Sequence, residues 1–138
     1  MRVFLDTNVI VSAVATRGLC ADVFREVMGR HRLVISGLLL DEVRKILLSK
    51  IGAPAELVED VLRLLREDSI DAEPSSSPAV SLLGQNDRAL ISSALNGNTD
   101  LFVTGDRDLI KLGQVEGLAI LSPRAFWERI RCEPAPSQ

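Results

Sequence analysis

Apolar residues run along this chain in short blocks whose spacing switches between two periods. Residues 2–5, Arg-Val-Phe-Leu, show no polar alternation. That is what a strand covered on both faces requires, and it predicts a short buried parallel strand. A helix is expected from about Asn8 to Ala15, and a second one carries Leu19, Val23, Phe24, Val27 and Met28 as its stripe. Residues 32–36 read as a second strand. Ser36 then caps a helix to about Lys50 with Leu39, Val43, Ile46 and Leu47 inward. Gly52-Ala53-Pro54 breaks it, and Pro54 opens a helix with Leu57, Val61, Leu64 and Leu65 on one face. Residues 69–72 predict a short third strand and residues 73–78, Glu-Pro-Ser-Ser-Ser-Pro, a loop. A helix over about Asp87 to Leu95 turns Leu90, Ile91, Ala94 and Leu95 inward, and residues 96–100 end it. Residues 101–104 and 118–121 are the fourth and fifth strands. Ser122 and Pro123 open a last helix with Phe126, Trp127 and Ile130.

Strands alternating with helices predict an α/β fold, a central parallel sheet of four to five strands with helices on both faces. Such sheets place their sites beyond the carboxyl ends of the strands, where strand order reverses. No internal repeat appears. A single domain is expected over residues 1–131, with residues 132–138 as a flexible tail.

Composition narrows the function classes. Of the 138 residues, 46% are hydrophobic and 25% charged, ordinary for a globular domain that buries its own core. Cys20 and Cys132 lie far apart with no metal-ligand spacing, so zinc is not expected. The one histidine, His31, has no nucleophile motif to serve. The net charge of −3 argues against a protein that coats nucleic acid, though not against local basic patches. Asp6 interrupts the first apolar run, which does not suit a secretory leader, and no stretch approaches the ~20 apolar residues of a membrane span. A reduced, cytoplasmic location without membrane partners is the expectation.

The chemistry is carried by carboxylates. Asp6 follows the first strand directly, and Asp106 follows the fourth in Val-Thr-Gly-Asp, so both fall on the sheet's carboxyl edge. Asp87 heads its helix with Leu90, Ile91 and Ala94 at i+3, i+4 and i+7, which sets it at the top of the inward face. Glu42 flanks the Leu39/Val43/Ile46 stripe, whereas Asp41 shares its side with Arg44 and Lys45 and reads as solvated. Each acid also has a plainer reading. Asp6, Asp87 and either Asp106 or Asp108 can each cap a helix, and Glu42 can pair at the surface. Together they describe a site. Acids gathered in one cleft raise one another's pKa until some protonate or a cation binds. All-oxygen donors select Mg²⁺ or Mn²⁺, and such ions activate water against a phosphodiester.

Four motifs then converge on one family. Val-Phe-Leu-Asp-Thr-Asn-Val-Ile (3–10), residues 36–47 around Glu42, residues 86–95 around Asp87 and Val-Thr-Gly-Asp-Arg-Asp (103–108) resemble the successive motifs of the PIN-domain metal-dependent ribonucleases, which include toxins of toxin–antitoxin pairs. The resemblance spans about residues 2–130, and its first and fourth motifs are the specific ones. It implies a three-layer α/β/α sandwich with the first strand central and the fourth beside it. It implies a catalytic set of Asp6, Glu42, Asp87 and Asp106, with Asp6, Asp87, Asp106 and Asp108 as metal ligands for Mg²⁺ or Mn²⁺. Asn8 and Thr104 would orient ligands or contact substrate, with Arg88 and Arg107, and also Lys111, as candidate phosphate contacts. It further implies an RNA substrate, a homodimer and a small protein antitoxin.

Three rivals compete. A haloacid-dehalogenase-type phosphatase needs a second Asp two residues after the nucleophile, and this chain has Asn8 there. A receiver-like signalling domain needs paired acids before the first helix and a phosphoacceptor Asp after the third strand, which neither residues 2–6 nor 69–74 supply cleanly. A catalytically inactive PIN-like binding module would be expected to have lost some of the four acids.

Overall fold

The computed structural model describes residues 1–72 and 85–132, the side chains of residues 85 and 86 aside. The expected loop at 73–78 and all of the expected tail beyond Cys132 lie outside the described residues. In chain order the elements are β1 (Arg2–Leu5), α1 (Thr7–Ala15), α2 (Leu19–Arg30), β2 (Arg32–Ile35) and α3 (Gly37–Ile46), which runs into a π-helical turn (Leu47–Ile51). There follow α4 (Ala55–Arg66), β3 (Ile70–Asp71), α5 (Gln85–Asn96), β4 (Leu101–Val103), α6 (Arg107–Leu112), β5 (Gln114–Val115), β6 (Leu118–Leu121) and α7 (Pro123–Cys132). The expected boundary at 131/132 thus falls in the last turn of α7.

The sheet order is β3-β2-β1-β4-β6-β5, a mostly parallel sheet flanked by helices in a three-layer α/β/α arrangement. β1 is central, paired in parallel with β2 on one side and β4 on the other, and the other parallel pairs are β2–β3 and β4–β6. The five expected strands are all present and parallel, and one strand is added to them: β5 pairs antiparallel with β6 at the edge, making six. Its turn, Glu116-Gly117, holds both residues at positive φ (48° and 88°), the geometry that folds a two-residue hairpin back on itself.

The core lies on β1, β2 and β4, whose Val3, Phe4, Leu5, Val34, Phe102 and Val103 are buried. Phe4 and Phe102 are register partners and stack with ring centroids 5.1 Å apart and planes 6° from parallel. Such offset aromatic stacking adds about 0.5–1.5 kcal/mol beyond burial and ties β1 to β4 just below their carboxyl ends. Leu39, Val43 and Leu47 are buried as the stripe on α3 predicts. The face of α4 is corrected. Val58, Leu62 and Leu65 are buried, while Leu57 and Leu64 are 47% and 45% exposed. Among the described residues no single helix is long and apolar enough to cross a membrane.

Candidate active site

The site grows out of the register of β1 and β4. One step past the end of β1, the Asp6 N–H donates to the Val103 carbonyl (2.9 Å), and one step past β4 the Thr104 N–H donates to Leu121 (2.9 Å). The ladders therefore fix Asp6 and Thr104 side by side before either side chain does anything. The order of the strands reverses between β1 and β4, so this is the crevice where an open α/β sheet binds its ligand.

Asp6 is only 7% exposed. Its Oδ1 accepts from the Thr7 N–H (2.8 Å), which makes it the N-cap of α1. Its Oδ2 accepts from Thr104 Oγ1 (2.6 Å), a length typical of a hydroxyl bonded to a carboxylate. Thr104, fully buried, also accepts from the Asp106 N–H (3.0 Å). Asp106 in turn caps α6, its Oδ1 accepting from the Asp108 N–H (2.9 Å). From the other side Thr7 Oγ1 donates to Glu42 Oε2 (2.6 Å), holding the half-buried Glu42 of α3 against the start of α1. Asp87 is the third residue of α5, inside its first turn and not the cap position expected for it, and it is partly buried.

These four acids line one cavity of about 370 Å³. Burial pushes the Asp6 carboxyl above the ordinary range, the bonds from Thr104 and the Thr7 N–H pull it back, and the charges of Glu42 and Asp106 raise it again. Burial also raises Asp87, with further upward pushes from Asp106, Asp6, Glu42 and Asp108. Asp6, Asp87 and Asp106 form no ion pair with any described residue. The cluster is thus a concentration of negative charge that no side chain neutralises for these three.

The donor set fits a hard divalent cation, since every side-chain donor among the four is a carboxylate oxygen. Among the described residues no three acids stand close enough to hold one ion between them directly. Mg²⁺ keeps several waters and takes only one or two carboxylates itself, so acids spread round a cleft suit a hydrated ion.

Asn8 and Thr104, expected as orienting residues, meet different fates: Asn8 lines the cavity, and Thr104 sits behind Asp6 as its hydrogen-bond donor. Asp108, Arg88 and Arg107 do not line it; Asp108 and Arg107 are exposed on α6, Asp108 reaching the cluster through its charge on Asp87. His31 lies at the opposite edge, before β2, 3.3 Å from Glu26 and edge-on to Phe126, which removes it from this chemistry. Sequence reasoning passed over Thr7, Lys45, Ser49 and Lys50. Thr7 stands inside the first motif, and Lys45 was read with the solvated Asp41, although Lys45, Ser49 and Lys50 all line the cavity.

Comparison with known proteins accords with this geometry. A sequence model described as PIN domain matches residues 2–108. The chain is similar in fold to VapBC2 from Rickettsia felis, solved bound to a DNA fragment from its promoter, at a TM-score of 0.63 and 18% identity, covering 88% of this chain and 98% of that one. It is likewise similar to VapBC-1 from nontypeable Haemophilus influenzae, at a TM-score of 0.62 and 20% identity, covering 90% and 99%. No curated protein matches it. With its family motifs on one sheet edge and most of its length matched, the chain belongs to the PIN domain family.

Proposed function

We propose that the protein is a metal-dependent ribonuclease that hydrolyses RNA phosphodiester bonds, acting in the cytoplasm as the toxin of a toxin–antitoxin pair. The observation that carries this reading is the gathering of Asp6, Glu42, Asp87 and Asp106 in one cleft at the carboxyl ends of β1 and β4. Asp6, Asp87 and Asp106 are the groups to hold Mg²⁺ or Mn²⁺, with Asp108 as an outer acid. When bound, the ion lowers the pKa of a water and neutralises charge on the scissile phosphate.

The chain's own residues do the positioning. The Thr104 hydroxyl and the Thr7 N–H hold both oxygens of Asp6 in one orientation and counter the upward push of burial on its pKa. The same Thr104 oxygen fixes the Asp106 backbone, so two acids from different strands are set by one side chain. Glu42, tied to Thr7, stands across from them as the acid that can take a proton from the attacking water. Asn8, at the cavity wall, is an amide donor for a phosphate or ribose oxygen.

Two observations support the protein partners. The similar structures are of VapBC proteins. Leu48, Ile51, Leu57 and Leu64 are exposed on the π-helical turn and α4, an apolar surface of the kind a homodimer or a small antitoxin covers.

The test is cleavage of structured and single-stranded RNA with Mg²⁺ or Mn²⁺, comparing the wild type with Asp6→Asn and Asp106→Asn. Metal-dependent cleavage lost in both variants is the expected result. Equal cleavage by all three proteins would sink the assignment. Asp6-dependent phosphate release from a phosphomonoester would point to the phosphatase, and RNA binding without cleavage to an inactive binding module.

A further inference from the structure

We propose that Lys45 and Lys50 grip phosphate beside the carboxylates and position the RNA strand in the cleft. This rests on the nuclease reading above and assigns the groups that hold the substrate there.

Both lysines line the same 370 Å³ cavity as Asp6, Glu42, Asp87 and Asp106. Lys45 comes from the last turn of α3, the helix that carries Glu42 at its middle, and Lys50 from the π-helical turn that follows it. At ~100° per residue an uninterrupted α-helix would put position 50 about 80° round from position 42. Leu47–Ile51 is a π-helical turn, wider than an α turn, and Lys50 within it lines the same cavity as Glu42. Buried Leu47 anchors that turn, and Gly52 ends it in the left-handed region (φ 72°, ψ 29°), its N–H bonded to the Leu47 carbonyl. Ser49 Oγ donates to the Lys45 carbonyl (2.6 Å), tying the two lysine-bearing turns together and leaving the ammonium groups as the free donors.

Neither lysine is occupied elsewhere. Both are exposed, and neither forms an ion pair with a described residue. Two acids of neighbouring α4 already have partners: Glu59 takes Arg44 and Asp60 takes Arg63. An acidic cleft on a chain of net charge −3 repels a polyanion unless cations stand beside it. Arg88 and Arg107 do not line the cavity, and among the described residues Lys45 and Lys50 are the cations that do. A flexible ammonium on a long stem contacts phosphate as a point charge and needs no base geometry, which suits a strand held by its backbone.

A lysine in the last turn of a helix can also serve the helix dipole alone. The experiment separates the two roles. Affinity for a fluorescent single-stranded RNA is measured by anisotropy across a salt series in Asp106→Asn, used to block cleavage, with and without Lys45→Ala/Lys50→Ala. Thermal melts with and without Mg²⁺ accompany it, on the wild type and on Lys45→Ala/Lys50→Ala with Asp106 intact. The expected result is a roughly tenfold weaker Kd at ~0.1 M salt and a slope of log K against log[salt] shallower by ~1.4, about 0.7 for each lost phosphate contact on a single strand. The Mg²⁺-induced melting shift is unchanged, and Lys45→Arg/Lys50→Arg restores binding. In the active background the loss falls on KM. An unaltered Kd and slope overturns the proposal while leaving the nuclease intact. Loss of binding that arginine fails to restore, with the Mg²⁺ shift lost too, overturns it in favour of a structural role. A parent that does not bind RNA, together with a wild type that does not respond to Mg²⁺, overturns this proposal and the nuclease reading together.

Discussion

Thr104→Val probes the joint on which the site depends. The substitution keeps side-chain shape at a position with no solvent exposure and removes one hydroxyl. That hydroxyl makes two bonds, donating to Asp6 Oδ2 at 2.6 Å and accepting from the Asp106 N–H at 3.0 Å. A hydrogen bond to a charged group contributes about 1.5–3 kcal/mol, and the partly buried N–H adds about 1 kcal/mol. The expected loss at neutral pH is therefore ~2–4 kcal/mol. At roughly 3–5 °C per kcal/mol for a chain of this size, that is a drop of about 10 °C in Tm. The pH dependence identifies the source. The Thr104 bond holds the Asp6 pKa down against burial, so the variant's folded-state pKa rises further above the unfolded value. A raised acid destabilises the fold only where it must ionise. The penalty is absent below the unfolded pKa, grows as pH rises through the folded one, and is constant above it. Urea denaturation of both proteins at pH 7.5, and at the lowest pH where each still shows a complete transition, measures this. The difference between them should shrink toward ~2 kcal/mol in acid, where the neutral carboxyl loses only an ordinary hydrogen bond and the Asp106 N–H bond is lost as before. A loss below ~1 kcal/mol at neutral pH, or one that does not change with pH, refutes the argument that Thr104 works by holding the Asp6 pKa down.

Asp87→Asn relieves a carboxyl raised by burial and by four like charges. It should melt higher than the wild type without metal, yet lose RNA cleavage and most of its response to Mg²⁺; a lower metal-free Tm contradicts the reading of strain. For the wild type, Asp6 and Asp87 are both raised, so their contribution to metal-free stability is present in acid and lost as pH rises through their folded pKa values. A bound cation offsets that loss. Calorimetric melts at pH 7.5 should gain about 2.7 kcal/mol at a hundredfold excess of Mg²⁺ over its Kd, reversed by chelator, and no gain at millimolar metal would count against a formed site. A Cβ at Gly97 would stand 2.6 Å from Val34 Cγ1 and 3.1 Å from the Ala72 Cβ. Gly97→Ala should therefore cost ~1–3 kcal/mol in urea denaturation through forced shifts at β2, and a neutral result would show that the strand yields freely.

The fold was legible where hydrophobic period alone decides and illegible where it leaves a choice. β1, β2 and β4 are short apolar runs covered on both sides, and their pattern admits one reading. On α4 two stripes, one residue apart, satisfy the helical period equally well: Leu57/Val61/Leu64 and Val58/Leu62/Leu65. Only packing against the rest of the protein selects the second, leaving Leu57 and Leu64 at the surface. β5 has two residues, Gln114 and Val115, too few for any period. It exists because the Glu116-Gly117 turn folds it back against β6, a signal held in backbone conformation and not in polarity.

The candidate site shows why cap and ligand were false alternatives for Asp6. A carboxylate oxygen has two lone pairs. Asp6 gives one from Oδ1 to the Thr7 N–H and one from Oδ2 to Thr104, and each oxygen keeps another. Asp106 repeats the arrangement, capping α6 while facing the same cavity. Capping is what fixes these side chains at the sheet edge, so the bonds that read as ordinary helix starts are the ones that hold the acids in place. The sequence exposes this half of the cleft because an acid just after a strand is conspicuous. It hides the other half because a lysine near the end of a helix is commonplace, and because the π-helical turn that carries Lys50 leaves no mark in the apolar pattern. The cleft's negative wall can be read from residue type, whereas its positive wall exists only once the helix is wound.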